Sequence, residues 1–146
     1  MPLNTSASVI SFAKQLEADS AGFYEKMAER YPEGEELFLT FAKENNKYTT
    51  MIQRAYYGVI TDAIEGCFAF SVETDKYTFD REPAKELSYT DALNQAIDIE
   101  RKLISFYTDA AEQSEAFMAD VPRTFLIVTK KRKNREDKLR ALLKET

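Results

Sequence analysis

The sequence predicts an all-α chain: four helices in a bundle, with one long crossover between the second and third. Three observations carry this. Four stretches repeat apolar side chains at steps of three and four, the period of a helix with one buried face. Gly and Pro number only four each, so tight turns are few. The sequence of the first helix also recurs in the third, as expected when one helical hairpin is used twice. The 146 residues fit a single domain, and ten Phe and eight Tyr can fill a sizeable core.

The first helix is expected over about 6–31. Val9, Ala13, Leu16, Ser20, Tyr24, Met27 and Tyr31 fall on one stripe, and Pro32 and Gly34 break the pattern. The second is expected over about 35–65. Its stripe is Phe38, Phe41, Ala42, Asn45, Tyr48, Ile52 and Ala55, and Gly66 is a stop signal. The third should run over about 91–114 from an N-cap at Thr90, with Leu93, Ala96, Ile97, Glu100, Leu103, Ile104, Tyr107 and Ala111 inward. The fourth should run over about 122–144 with Pro122 in its first turn. Its stripe is Phe125, Val128, Arg132, Arg135, Leu139 and Leu142.

The connection from about Cys67 to Tyr89 is long for a bundle and is read as the crossover. Its aromatics Phe68, Phe70, Tyr77 and Phe79 need cover. That cover is expected from the bundle or from a second copy. The aromatic crossover, together with Tyr56 and Tyr57, suggests a homodimer, the commonest symmetric assembly.

"AKQLEADSAGFYEKMAE" from Ala13 aligns without gaps to "AIDIERKLISFYTDAAE" from Ala96. Helices two and four align more weakly: Phe38 with Phe125, Phe41 with Val128, Asn45 with Arg132, Tyr48 with Arg135.

Charge narrows the function classes. The net charge is −5, which argues against general nucleic-acid affinity. From Phe125 onward there are eight Lys and Arg against three Asp and Glu, +5, while the rest holds twelve against twenty-two, −10. The basic last helix is therefore expected to lie on an acidic body. Cys67 is the single cysteine, which excludes an internal disulfide and a Cys₄ iron or zinc site; it reads as a small packed hydrophobe. No stretch is apolar for the length a bilayer requires, and the expectation is a cytoplasmic protein without a membrane partner.

Polar residues on the inward stripes carry the chemistry. Glu17 and Glu100 occupy equivalent repeat positions between apolar neighbours. A lone buried carboxylate is costly, so two at matched positions imply a polar layer across the core. Arg132 and Arg135 sit on the stripe of the basic run "FLIVTKKRKNREDKL", while Lys130, Lys131 and Lys133 fall off it. Two guanidinium groups could neutralise two carboxylates in bidentate geometry, with Asn45 and Tyr48 supplying the remaining hydrogen bonds. Tyr24 and Tyr107 adjoin the layer as core aromatics.

Over nearly its whole length the chain resembles the ferritin-like, rubrerythrin-type four-helix family. That resemblance implies an up-down bundle in which helices one and three each give a Glu to a di-iron site, and helices two and four each give Glu-x-x-His. Glu17 with Tyr24, and Glu100 with Tyr107, match the family's Glu and following Tyr. "FLTFAKENNKYTTMI" and "FLIVTKKRKNREDKL" resemble its ligand segments on helices two and four. The family's Glu and His are here Asn45 and Tyr48 on helix two, and Arg132 and Arg135 on helix four. The chain has no histidine.

The expectation is therefore a metal-free relative with no cofactor, in a structural or interaction role, more binding module than enzyme. One alternative is a di-iron oxidase or peroxidase, whose only route to ligands is Glu17 and Glu100 with Glu44 and Glu136. Another is a small-molecule or anion site in the core.

Overall fold

The structure, a computed structural model, describes residues 3–59, 70–114 and 121–146, with the side chains of 57–59 set aside. Among these residues it holds four α-helices and no strand: α1 Ser6–Arg30, α2 Glu35–Val59, α3 Tyr89–Ser114 and α4 Val121–Glu145. The expected stop at Gly66, together with Cys67, Phe68 and the Tyr57 side chain, lies outside the described residues.

Each start has a local cause. At α1 the Thr5 hydroxyl accepts the Ser8 amide at 3.2 Å, satisfying one of the free first-turn donors. Pro32–Gly34 form a 3₁₀ turn that links α1 to α2, and Glu35 and Glu36 then place negative charge at the positive end of α2. At α3 the cap is Ser88, whose hydroxyl accepts the Asp91 amide at 3.1 Å. The expected cap, Thr90, is inside the helix and hydrogen-bonds Thr146 instead. Two hydroxyl residues stand two positions apart there, and the chain turns at the first.

The helices pack in the cyclic order α1, α2, α4, α3, with the α1–α2 and α3–α4 pairs most closely joined. All the residues expected on the inward stripes are buried except Ala55, Ile104 and Leu142, which are half-buried. Gly34 is buried at the α1–α2 turn because a side chain would not fit: a Cβ there would stand 2.6 Å from the Phe38 ring and 2.9 Å from the Tyr89 hydroxyl.

The described part of the crossover follows α1 from its start to its end, a span of about 37 Å at 1.5 Å per residue. Leu3 and Val72 form an antiparallel bridge, with N–H···O bonds of 2.7 and 2.9 Å. Ser71 then meets Gln113, Tyr77 donates to Asp109, and Lys102 donates to the Thr78 carbonyl. Arg30 and Tyr31, at the far end of α1, bond the carbonyls of Ala84 and Leu87. The segment thus covers the α1–α3 side of the bundle. Phe70 and Tyr77 are buried there, and Tyr77 and Phe12 both pack edge-on against Phe106. Tyr56 is buried too, so three of the six aromatics that suggested a dimer surface, Tyr56, Phe70 and Tyr77, are enclosed within one chain. No helix among the described residues is long and apolar enough to cross a membrane.

Candidate functional site

Midway along the bundle, one buried layer collects a polar residue from every helix. Glu17 comes from α1, Asn45 from α2, Glu100 from α3, and Arg132 and Arg135 from α4. All five are at most 2% exposed. A three- or four-residue step keeps each on the stripe that its apolar neighbours force inward.

Arg132 is the centre of the layer. Its Nη1 donates to Glu100 Oε1 at 2.5 Å, and its Nη2 donates to Glu17 Oε1 and Oε2 at 2.7 and 2.5 Å. A single guanidinium therefore bridges carboxylates from two helices, one on each Nη, a geometry that its planar fork pre-organises. Burial alone would weaken the charged form of Arg132. The two carboxylates outweigh that and hold its pKa well above the usual value.

Two tyrosines add further hydrogen bonds to the carboxylates, crosswise. Tyr24 of α1 donates to Glu100 Oε2 at 2.5 Å, and Tyr107 of α3 donates to Glu17 Oε2 at 2.9 Å. Each tyrosine lies seven residues after the repeat's own Glu but reaches the Glu of the other repeat. Both phenols are pushed well above their ordinary pKa, first by burial and then by the carboxylate each faces. They remain donors at any ordinary pH.

Arg135 behaves differently from Arg132. Its Nη1 donates to Asn45 Oδ1 at 2.8 Å and its Nη2 to the Phe41 carbonyl at 3.1 Å, both neutral acceptors. Glu100 and Glu44 lie at 3.7 and 3.6 Å, beyond good hydrogen-bonding distance. The guanidinium is wrapped by the rings of Phe41, Tyr48 and Tyr24, with centroids at 4.5, 5.2 and 5.3 Å. Asn45 completes the layer by donating to the Glu17 carbonyl at 3.0 Å. Tyr48 joins through its ring face, near both guanidiniums, and burial raises its phenol pKa.

Two expectations change here. The two arginines do not divide the two carboxylates between them, because Arg132 takes both. The carboxylates take their other donors from Tyr24 and Tyr107, while Asn45 hydrogen-bonds Arg135 and the Glu17 carbonyl and Tyr48 offers its ring. The repeat held a signal for this, the shared Glu-to-Tyr spacing of seven, but it did not say which Glu each hydroxyl reaches.

A di-metal centre does not fit these residues. All four oxygens of Glu17 and Glu100 already accept a hydrogen bond, and a guanidinium lies between the carboxylates. Glu44 and Glu136, the other candidate ligands, do not converge with them. Glu44 is near the surface beside Arg135, and Glu136 pairs with Arg101 at 3.7 Å and Arg140 at 3.0 Å. Among the described residues no three His, Cys, Asp or Glu side chains are grouped as a metal would require. Comparison with known proteins returns nothing to set beside this site: no family model, no curated protein and no solved structure matches the chain.

Proposed function

We propose that the chain is a rubrerythrin-like, ferritin-type bundle in which a Glu–Arg layer has replaced the di-metal centre, acting as a metal-free structural or interaction protein rather than an oxidoreductase. The observation that carries this reading is the Arg132 fork across Glu17 and Glu100. In a metal-bearing relative, cations would neutralise the carboxylates of helices one and three at this place. Here a side-chain cation does so, and it comes from the position where the family resemblance calls for a ligand. The helix order and the crossover along α1 are the arrangement such a bundle would need. A layer of this kind need not add stability over an apolar core; fixing the register of four helices is its best-attested use.

Metal analysis tests the reading. Protein purified without chelator should hold no stoichiometric iron, manganese or zinc, and two metal ions per chain would restore the oxidoreductase. A second arm tests the ancestry. Asn45→Glu, Tyr48→His, Arg132→Glu and Arg135→His together rewrite both lost ligand pairs. If folded, that variant should bind two divalent ions per chain. A folded variant that binds none would remove the link to the di-metal family.

A further inference from the structure

We infer that the outer side of Arg135 is a binding site for a small oxyanion of phosphate size. A pocket of about 140 Å³ opens there between α2 and α4, lined by Phe41, Glu44, Tyr48, Lys131, Asn134, Arg135 and Lys138. Lys131, Asn134, Arg135 and Lys138 follow the i, i+3, i+4, i+7 spacing of a single helix face. The lining carries three cations and one carboxylate, on a chain whose net charge is −5.

Arg135 points to a ligand independently of that charge. It is 2% exposed, yet its two hydrogen bonds go to neutral acceptors and its buried Nε has no partner within the described protein. A buried cation is normally met by charged acceptors at hydrogen-bonding distance. Here Arg132 takes the close oxygens of both core carboxylates, and Arg135 faces Glu100 and Glu44 only from 3.6–3.7 Å. Cation–π contact with three rings offsets part of the deficit but supplies no acceptor.

The volume sets the ligand class. It equals roughly five waters at about 30 Å³ each, well below the several hundred cubic ångströms of a pocket for a drug-sized molecule. An oxyanion with several acceptor oxygens could meet Arg135 at the floor while Lys131 and Lys138 close over it from the rim. Both lysines are exposed, and neither has an ion-pair partner among the described residues. Glu44, whose side chain is about one-third exposed, is the occupant such an anion would displace. The site would have this chemistry whatever the ancestry of the buried layer behind it.

Titration calorimetry with inorganic phosphate against chloride, at matched ionic strength, reads the site directly. One saturable site per chain is expected. The double substitution Lys131→Gln with Lys138→Gln, both at the surface, should weaken binding about tenfold or more. Lys130→Gln with Lys133→Gln removes the same charge from the other side of α4 and should leave binding within about twofold. Glu44→Gln should strengthen it. Absence of saturable heat in the unmodified protein would overturn the site. So would equal weakening by the two lysine pairs, which would mean general screening rather than a pocket.

Discussion

Arg132 and Lys133 are adjacent in sequence, one buried and one exposed. Replacing Arg132 with Ala leaves two carboxylates in the core without their shared cation. Breaking a buried pair in this way costs about 3–5 kcal/mol, a large part of the total stability of a domain this size. Lys133→Ala should cost under about 0.5 kcal/mol. Arg132→Lys should fall between the Ala variant and the wild type, since an ammonium keeps the charge but lacks the planar fork. Chemical denaturation at neutral pH separates these outcomes, and a wild-type midpoint and slope for Arg132→Ala would show that the layer does not hold the core. The inward position of Arg132 was legible in the sequence because Phe125 and Val128 before it and Leu139 after it mark an apolar stripe of the same helix, and its repeat partner, Asn45, is on a stripe too. The division of labour was not legible. Whether one guanidinium serves two carboxylates depends on the distance across the bundle, which no single helix encodes.

At the scale of elements, periodicity located the helices, but the start of α3 needed the turn itself. Ser88 and Thr90 are both good cap residues, and sequence gives no reason to prefer the first. In the fold the chain enters α3 at Tyr89, so only the Ser88 hydroxyl can reach the Asp91 amide. Ser88→Ala should therefore cost about 1 kcal/mol, while Thr90→Ala, inside the helix and exposed, should cost less than half of that. Thermal unfolding of the two variants checks this; equal shifts would mean that the cap is not at Ser88. The crossover was legible as a long, aromatic-bearing link. Its course was not, because it is held by scattered pairings such as Leu3 with Val72 and Tyr77 with Asp109, which carry no sequence period. Phe79 is only half-buried on the same face, so covering that side does not hide every aromatic.

For the molecule as a whole, the tyrosines of the layer tie global stability to alkaline pH. Tyr24 and Tyr107 are fully enclosed, and burial followed by the facing carboxylates raises both above the ordinary phenol pKa of 10.0. The folded state therefore keeps two protons that the unfolded chain gives up near pH 10. Below that pH both states hold the protons, and the contribution of the pair is fully present. Above it, stability falls as pH climbs toward the folded values, by about 1.4 kcal/mol per pH unit for each tyrosine. The opposite sign would need phenolates stabilised in the core, and the carboxylates of Glu100 and Glu17 exclude that. Urea midpoints measured from about pH 9 to about pH 11 should therefore drop steeply in the wild type. Tyr24→Phe with Tyr107→Phe should start lower by about 1–3 kcal/mol, because Glu100 Oε2 loses its hydrogen-bond donor and Glu17 Oε2 keeps only Arg132. Its decline above pH 10 should nonetheless be shallower by roughly 2.7 kcal/mol per pH unit, the share of the two missing phenols. The starting point and the slope thus move in opposite senses. Parallel declines in the two proteins would mean that neither tyrosine is held neutral by the layer, and the crosswise bonds to Glu100 and Glu17 would have to be abandoned.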